Sequence, residues 1–485
     1  MKKRTLQSLV LISFTCLLIG CAHYTVNDQS RNVDLTSGYQ FDTLESGPNN
    51  SDSLFVCLMF SGGGTRAAAL SYGIMKSLRE TVIHVNGQEK RLLDEVDCIS
   101  SVSGGSFTAA YYGLFRDGLF EDFRSQFLER NIQGALVSQL FNPVNWVKLT
   151  SPYFSQIDLA AEFYDKEIFN ATTFEVLRNN GRPFVILNAT NLGSDRRFDF
   201  TQDYFDALGS NLNTYQISRA VAASSAFPYL LSPLSLKNYP VAKNYKAPWW
   251  YENALIPKNW ITDRYNAAKN LSIYLDKGNR YIHLMDGGLS DNIGSRAILD
   301  AFYRGFIRTR ITQGSIQKLV LIVVNSRTQS EDQLSLKESP PGLFTVVEKT
   351  ATIAMDNYSY DSVSMLRKAL YARVQTQNND QACISLLSKS CPQAPKPFLS
   401  AADIDPYVIE INFEAVSQIS NEDAYYYLNL PTSFKLSEEQ LNKLINIGPK
   451  LLKATPQYQC LLKVLDAEAS DLPRPETCPP GAGVF

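Results

Sequence analysis

The stretch CISSVSGGSF, residues 98–107, ends an apolar run on a serine and resumes, after two glycines, as a second apolar run. A strand that stops sharply at Ser103 and re-enters a helix exposes that hydroxyl at a corner, the position from which a nucleophile reaches a carbonyl. A plain turn has the same pattern, so the chemical reading needs a base for the serine and donors for the charge that acyl transfer develops. Ser61-Gly62-Gly63-Gly64-Thr65-Arg66 offers donors: it follows one strand and opens a helix, placing unhindered backbone N–H groups at a positive helix end. A nucleotide phosphate fits this loop poorly. No Gly-Lys-Ser/Thr closes it, and its consecutive glycines break the dinucleotide spacing. Gly62 and Ser103 lie 41 positions apart, one strand–helix–strand unit, so neighbouring parallel strands would deliver both loops to the same sheet edge.

The base is harder to supply from histidine, of which the chain has three. His23 lies near the N-terminus, His84 falls in an expected loop, and His283 sits on a strand three positions before Asp286, where alternation points the two side chains to opposite faces. A Ser-His-Asp triad is therefore poorly provided. LMDGGLSDNIG, residues 284–294, supplies a carboxylate instead, because Asp286 ends an apolar strand and two glycines follow it that let another backbone approach. A turn-capping aspartate is the plain alternative.

The elements that must position these groups read as a parallel α/β sheet. Leu54–Phe60 is a continuous apolar strand, an alanine-rich helix runs to about Arg79, VDCIS is a second buried strand, and Phe107–Phe115 is helical. Further strands are expected at Phe184–Ala189, Tyr281–Met285 and Lys318–Asn325. Residues 232–280 form an aromatic-rich insertion with Trp249, Trp250 and Trp260, and APWWYENALIPKNW within it is a candidate membrane-facing segment near the mouth of the site. Packing of those aromatics against the domain is the competing expectation.

Composition narrows the partners. Lys plus Arg total 46 against 48 Asp plus Glu, so no basic excess suits a nucleic-acid backbone. The N-terminus, Met1-Lys2-Lys3-Arg4 followed by the apolar stretch Leu9–Ile19, is a signal peptide, well short of the ~20 residues that span a bilayer. Its end, Leu18-Ile19-Gly20-Cys21, resembles the bacterial lipobox, which implies that Cys21 becomes an acylated N-terminus. That resemblance places the protein in a bacterial cell envelope, with the outer membrane facing the periplasm expected from Ala22 and His23. Residues 21–50 are then a tether. Export permits disulfides: Cys57 and Cys98 read as small buried apolar residues, and among Cys383, Cys391, Cys460 and Cys478 three pairings are open, local pairing being the expectation.

The ordered set GGGTR, SVSGGS and DGG, with AVAASSAFPYLLSP at residues 220–233, resembles the patatin-like phospholipase family over about residues 54–325. The resemblance implies a three-layer α/β/α fold with a mainly parallel central sheet, here in residues 51–330, plus a helical and loop-rich C-terminal extension, 331–485. It implies Ser103 as nucleophile, Asp286 as general base, Gly62, Gly63 and Gly64 as the oxyanion loop and Arg66 as its support, acting on a membrane phospholipid or other acyl lipid without metal or organic cofactor. Asp291 and Asn292 fit the pattern as structural hydrogen-bonders. One departure stands out: the family has glycine two positions before the nucleophile, where this chain has Ser101. A catalytically silent patatin-like scaffold that binds lipid or envelope partners is the second reading, and a peptidase or esterase with triad chemistry the third.

Overall fold

The computed structural model describes residues 27–33, 38–228, 231–329, 338–391, 393, 404–419 and 423–484. The expected signal peptide, 1–20, and Cys21 lie outside the described residues. Among the described residues no helix is long and apolar enough to cross a membrane.

Among the described residues ten strands form, in chain order: β1 Leu54–Phe60, β2 Val82–Val85, β3 Gln88–Arg91, β4 Val96–Val102, β5 Phe184–Asn191, β6 Arg196–Asp199, β7 Leu234–Lys237, β8 Tyr281–Asp286, β9 Lys318–Val324 and β10 Asp405–Ile411. The helices that matter for the site are α1 Thr65–Glu80, α2 Gly104–Phe115, α3 Ile132–Phe141, α4 Pro143–Leu149, α5 Ile217–Ser224, α6 Leu343–Ser390 and α7 Glu438–Ala454. Eight strands make one sheet in the order β10-β9-β1-β4-β5-β8-β7, with β6 also paired to β5. The run β10-β9-β1-β4-β5 is parallel, and β8, β7 and β6 are antiparallel additions. β1 and β4 are buried along their whole length, which is why their sequences read as unbroken apolar runs rather than alternating ones. With helices packed on the sheet, this is the patatin-like α/β/α arrangement with a further helical C-terminal region.

The C-terminal region is more tightly built in than an appended extension. β10 continues the parallel sheet beyond β9, and its Tyr407, Val408 and Ile409 belong to the same buried core as β1. α7 packs along α1 through Leu441, Leu444, Ile445, Leu451 and Leu452, apolar positions at helical spacing. The expected tether is likewise shorter than 21–50: Asn27 is buried and donates to Ser210 Oγ and the Lys237 carbonyl, both at 2.9 Å. Tyr39 is buried, and Phe41 stacks on Phe306 with 3.9 Å between ring centroids. Aromatic side chains in this otherwise polar stretch draw it onto the body.

Two of the cysteine expectations change. Cys57 and Cys98 are bonded to each other, because β1 and β4 pair in a register that sets them side by side. Cys460 joins Cys478 as expected from local pairing, whereas Cys383 and Cys391 are free and exposed.

Candidate active site

The register of β5 brings the serine and the aspartate together. Its consecutive residues Asn188 and Ala189 pair with Val102, the last residue of β4, and with Asp286, the last residue of β8. Ser103 follows Val102 directly and sits at φ 50°, ψ −121°, a left-handed conformation that a residue with a Cβ adopts only when its surroundings impose it. The turn sets Ser103 at the cavity that Asp286 also lines, close enough for the hydroxyl to stabilise the carboxylate. Asp286 is 1% exposed and also accepts the Gly288 N–H at 2.8 Å. Burial pushes its carboxyl up to about 6, against the opposing pull of the Ser103 hydroxyl and the Gly288 N–H.

A hydroxyl cluster beneath the corner holds the strained backbone. The Ser103 N–H donates to Ser224 Oγ at 3.0 Å, and Ser224 in turn donates to the Asn188 carbonyl at 2.6 Å. Ser106 Oγ lies 2.9 Å from Ser224 Oγ and 3.2 Å from Ser101 Oγ, and Ser101 donates to the Ile186 carbonyl. The serine standing where the family pattern has glycine is thus a buried cross-strand brace. Ser224 was not singled out from sequence, although it lies in the alanine- and serine-rich stretch, at the end of α5.

The glycine loop follows β1 as β4's neighbour, so it meets the corner at the same sheet edge. Gly62 lines the site, but its N–H donates to the Asn292 carbonyl at 3.0 Å. Gly63 and Gly64 line the same cavity, and among the described residues their N–H groups have no such backbone acceptor. Gly64 lies at φ 60°, and a Cβ there would fall 2.5 Å from the Ser433 carbonyl oxygen; a Cβ on Gly104 would fall 2.0 Å from the Gly64 oxygen. Glycine at both positions is what lets loop, nucleophile helix and C-terminal segment touch. Asp291 is buried and accepts from the backbone of Ile293 and Arg296, a structural role.

The histidines stand apart from this constellation. His283 Nδ1 is 2.8 Å from Ser235 Oγ on β7. His84 lies on the β2–β3 hairpin rather than in a loop, with Nε2 3.5 Å from Glu89. His23 is outside the described residues.

Residues 58–298 match the family model described as patatin-like phospholipase. The chain contains a patatin-like phospholipase domain. Among curated proteins, none matches the sequence. Among solved structures, human GIVD cytosolic phospholipase A2 is similar at 12% identity, with 86% of this chain and 61% of that one covered and a TM-score of 0.42. The same enzyme in complex with methyl gamma-linolenyl fluorophosphonate matches at 13% identity, covering 86% and 60% of the two chains, with a TM-score of 0.40. VipD from Legionella pneumophila matches at 11% identity, covering 88% and 71%, with a TM-score of 0.26. The chain thus spans about three-fifths of the cytosolic phospholipase A2 chains.

The patatin-like domain does not build the site alone. Arg66, buried at the start of α1, donates through Nε to the Ser326 carbonyl at 2.9 Å, through Nη1 to the Leu430 carbonyl at 2.7 Å and through Nη2 to Thr432 Oγ1 at 3.2 Å. It thereby fastens residues 428–434 over the glycine loop, and the Thr65 N–H adds a bond to the Ser433 carbonyl at 2.9 Å. The resulting cavity, about 570 Å³, is lined by Ser103 and Asp286. Its remaining wall mixes apolar Phe227, Met355, Leu430 and Phe434 with cationic Arg327 and Lys349, several of them from beyond residue 330. None of residues 247–260 lines it. Pro248, Trp249 and Trp250 line a separate cavity with Phe184 and Ile186 of β5, so the expected position of that segment near the mouth is corrected.

Proposed function

We propose that the protein is a lipid acyl hydrolase, of phospholipase A or lysophospholipase type, that works by a Ser103–Asp286 dyad and is held at a bacterial membrane through acylated Cys21. The observation that carries this reading is a strained serine lining one cavity with a buried carboxylate, which its hydroxyl stabilises, and with Gly63 and Gly64. Asp286 accepts the Ser103 proton as Oγ attacks the ester carbonyl, and the Gly63 and Gly64 N–H groups receive the oxyanion. Collapse of the tetrahedral intermediate expels the alcohol, which takes the proton back from Asp286. Water then loses a proton to the same carboxylate, attacks the acyl-enzyme, and releases the fatty acid as Ser103 is reprotonated. No step calls for a metal or organic cofactor.

The cavity chemistry supports a phospholipid. Its volume lies within the range of small-molecule sites, its apolar wall suits an acyl chain, and Arg327 and Lys349 suit a phosphate-bearing headgroup. Localisation to the envelope, outer membrane facing periplasm, rests on the signal peptide and Cys21. With Asn27 already packed on the body, the chain from Cys21 to Asn27 spans at most about 22 Å, which would keep the body close to the bilayer. The test is a lipid panel presented to the purified protein and read by mass spectrometry, with Ser103→Ala alongside. Release of fatty acid and lysolipid by the wild type alone supports the reading; no turnover on any ester contradicts it. Metabolic labelling with an alkynyl fatty acid, lost in Cys21→Ser, tests the anchor separately.

A further inference from the structure

A phospholipid must leave its bilayer to reach Ser103, and one surface beside the cavity suits that transfer. Residues 131–155, NIQGALVSQLFNPVNWVKLTSPYFS, contain a single charged side chain, Lys148, and it is bound to Glu162 at 2.7 Å. They fold as α3 and α4, joined at Asn142, whose side chain accepts the Val144 N–H and caps α4. A helical hairpin on the surface of a soluble body normally turns charge outward. This one turns out Val137 and Phe141 at i, i+4 on α3, and Val144, Trp146 and Val147 on α4, with Phe141 at 72%, Val144 at 71% and Trp146 at 55% exposure.

Two further observations give this surface an occupant. Gln133 and Phe434 line both the catalytic cavity and a groove formed by Leu136, Val137 and Leu140 of α3, so the groove beside the apolar face adjoins the site. The Trp146 Nε1–H donates to the Leu140 carbonyl at 2.8 Å, so the indole can enter an apolar phase without leaving a donor unpaired. The other exposed tryptophans, Trp249 and Trp260, lie in a stretch interrupted by Glu252, Lys258, Asp263 and Arg264, with the Arg264 guanidinium 5.7 Å from the Trp249 ring centre.

We propose that the α3–α4 hairpin is the surface that inserts into the lipid interface, seating the cavity mouth on the bilayer so that a phospholipid enters past Gln133 and Phe434. The inference takes its purpose from the lipid-hydrolase reading, but its binding test needs no turnover. Full-length Ser103→Ala protein is added to vesicles of phosphatidylcholine brominated on its acyl chains, and tryptophan quenching is compared with Trp146→Phe, Trp249→Phe and Trp260→Phe in the same background. Most of the quenching should vanish in Trp146→Phe and persist in the other two. Quenching that survives Trp146→Phe, or that is lost with Trp249 or Trp260, overturns the proposal, as does its absence. In the active protein, Phe141→Ser/Val144→Ser should lower vesicle hydrolysis at least tenfold and leave a short soluble ester within about twofold; equal losses on both would mark the hairpin as structural. Quenching at Trp146 without lipid hydrolysis by the wild type would sink the hydrolase reading and leave the docking surface standing.

Discussion

Ser103 and Asp286 come to one cavity across β5, a strained serine beside a carboxylate that is 1% exposed, although they lie 183 positions apart in the chain. The same burial that stops the carboxylate from drifting into water also makes its charged form costly, and this has consequences that can be measured.

A base must be ionised to accept a proton. With the Asp286 carboxyl pushed up to about 6, kcat/KM on a soluble ester should rise tenfold per pH unit below about pH 6 and level off above 7. A pH–rate profile checks this, and a limb centred below pH 4.5 would argue against Asp286 as the base.

Asp286→Asn should lose roughly 10³-fold in turnover while keeping its fold. Because the folded-state pKa lies above the ordinary carboxyl value, the penalty for burying this group is absent below about pH 4 and grows until the carboxyl is fully ionised above about pH 6. The amide removes that penalty, on the order of 3 kcal/mol. Thermal melts should find Asp286→Asn more stable than wild type at pH 8 and indistinguishable from it near pH 4.

Ser224→Ala deprives the buried Ser103 N–H of its acceptor. The expected cost is about 1–3 kcal/mol of stability, with a fall of at least tenfold in kcat because the corner loses its brace. Ser224→Thr, which keeps a hydroxyl, should recover part of both; melts and initial rates on a soluble ester decide it.

Arg66→Met removes the hydrogen bonds to Leu430 and Thr432 that fasten residues 428–434 over the glycine loop, together with the one to Ser326. Turnover of a soluble ester should fall tenfold or more through kcat if, as proposed, this loop receives the oxyanion. An unchanged kcat with a raised KM would instead make the clamp part of the substrate wall.

Much of this site is written in local sequence. The buried parallel strands announce themselves as apolar runs, the serine corner as S-x-S-G-G between them, and Asp286 as the polar end of another run. What could not be read there depends on pairing over long distances. The Cys57–Cys98 bond is evident only once β1 and β4 are known to lie in that register. Arg66 finds its carbonyl partners 260 and 364 residues downstream, in segments with no motif of their own. Ser224 differs from Ser225 only in which hydroxyl the short helix α5 turns toward the corner. The strand DPYVIEI did carry a usable signal, its apolar Tyr407, Val408, Ile409 and Ile411 forming a compact β pattern after a long helical stretch. Aromatic content, by contrast, gave no location: the tryptophans of the insertion line a different cavity, while the hairpin at 131–155, with its single charged residue, adjoins the site.

The central claim is that Ser103 is a nucleophile activated where it sits. Intact protein treated with an alkyl fluorophosphonate at pH 8, digested and mapped by mass spectrometry, should carry one phosphonyl adduct, on Ser103, with labelling abolished in Ser103→Ala and strongly slowed in Asp286→Asn. An unlabelled wild type, or an adduct that maps to another serine and persists in Ser103→Ala, would contradict the account.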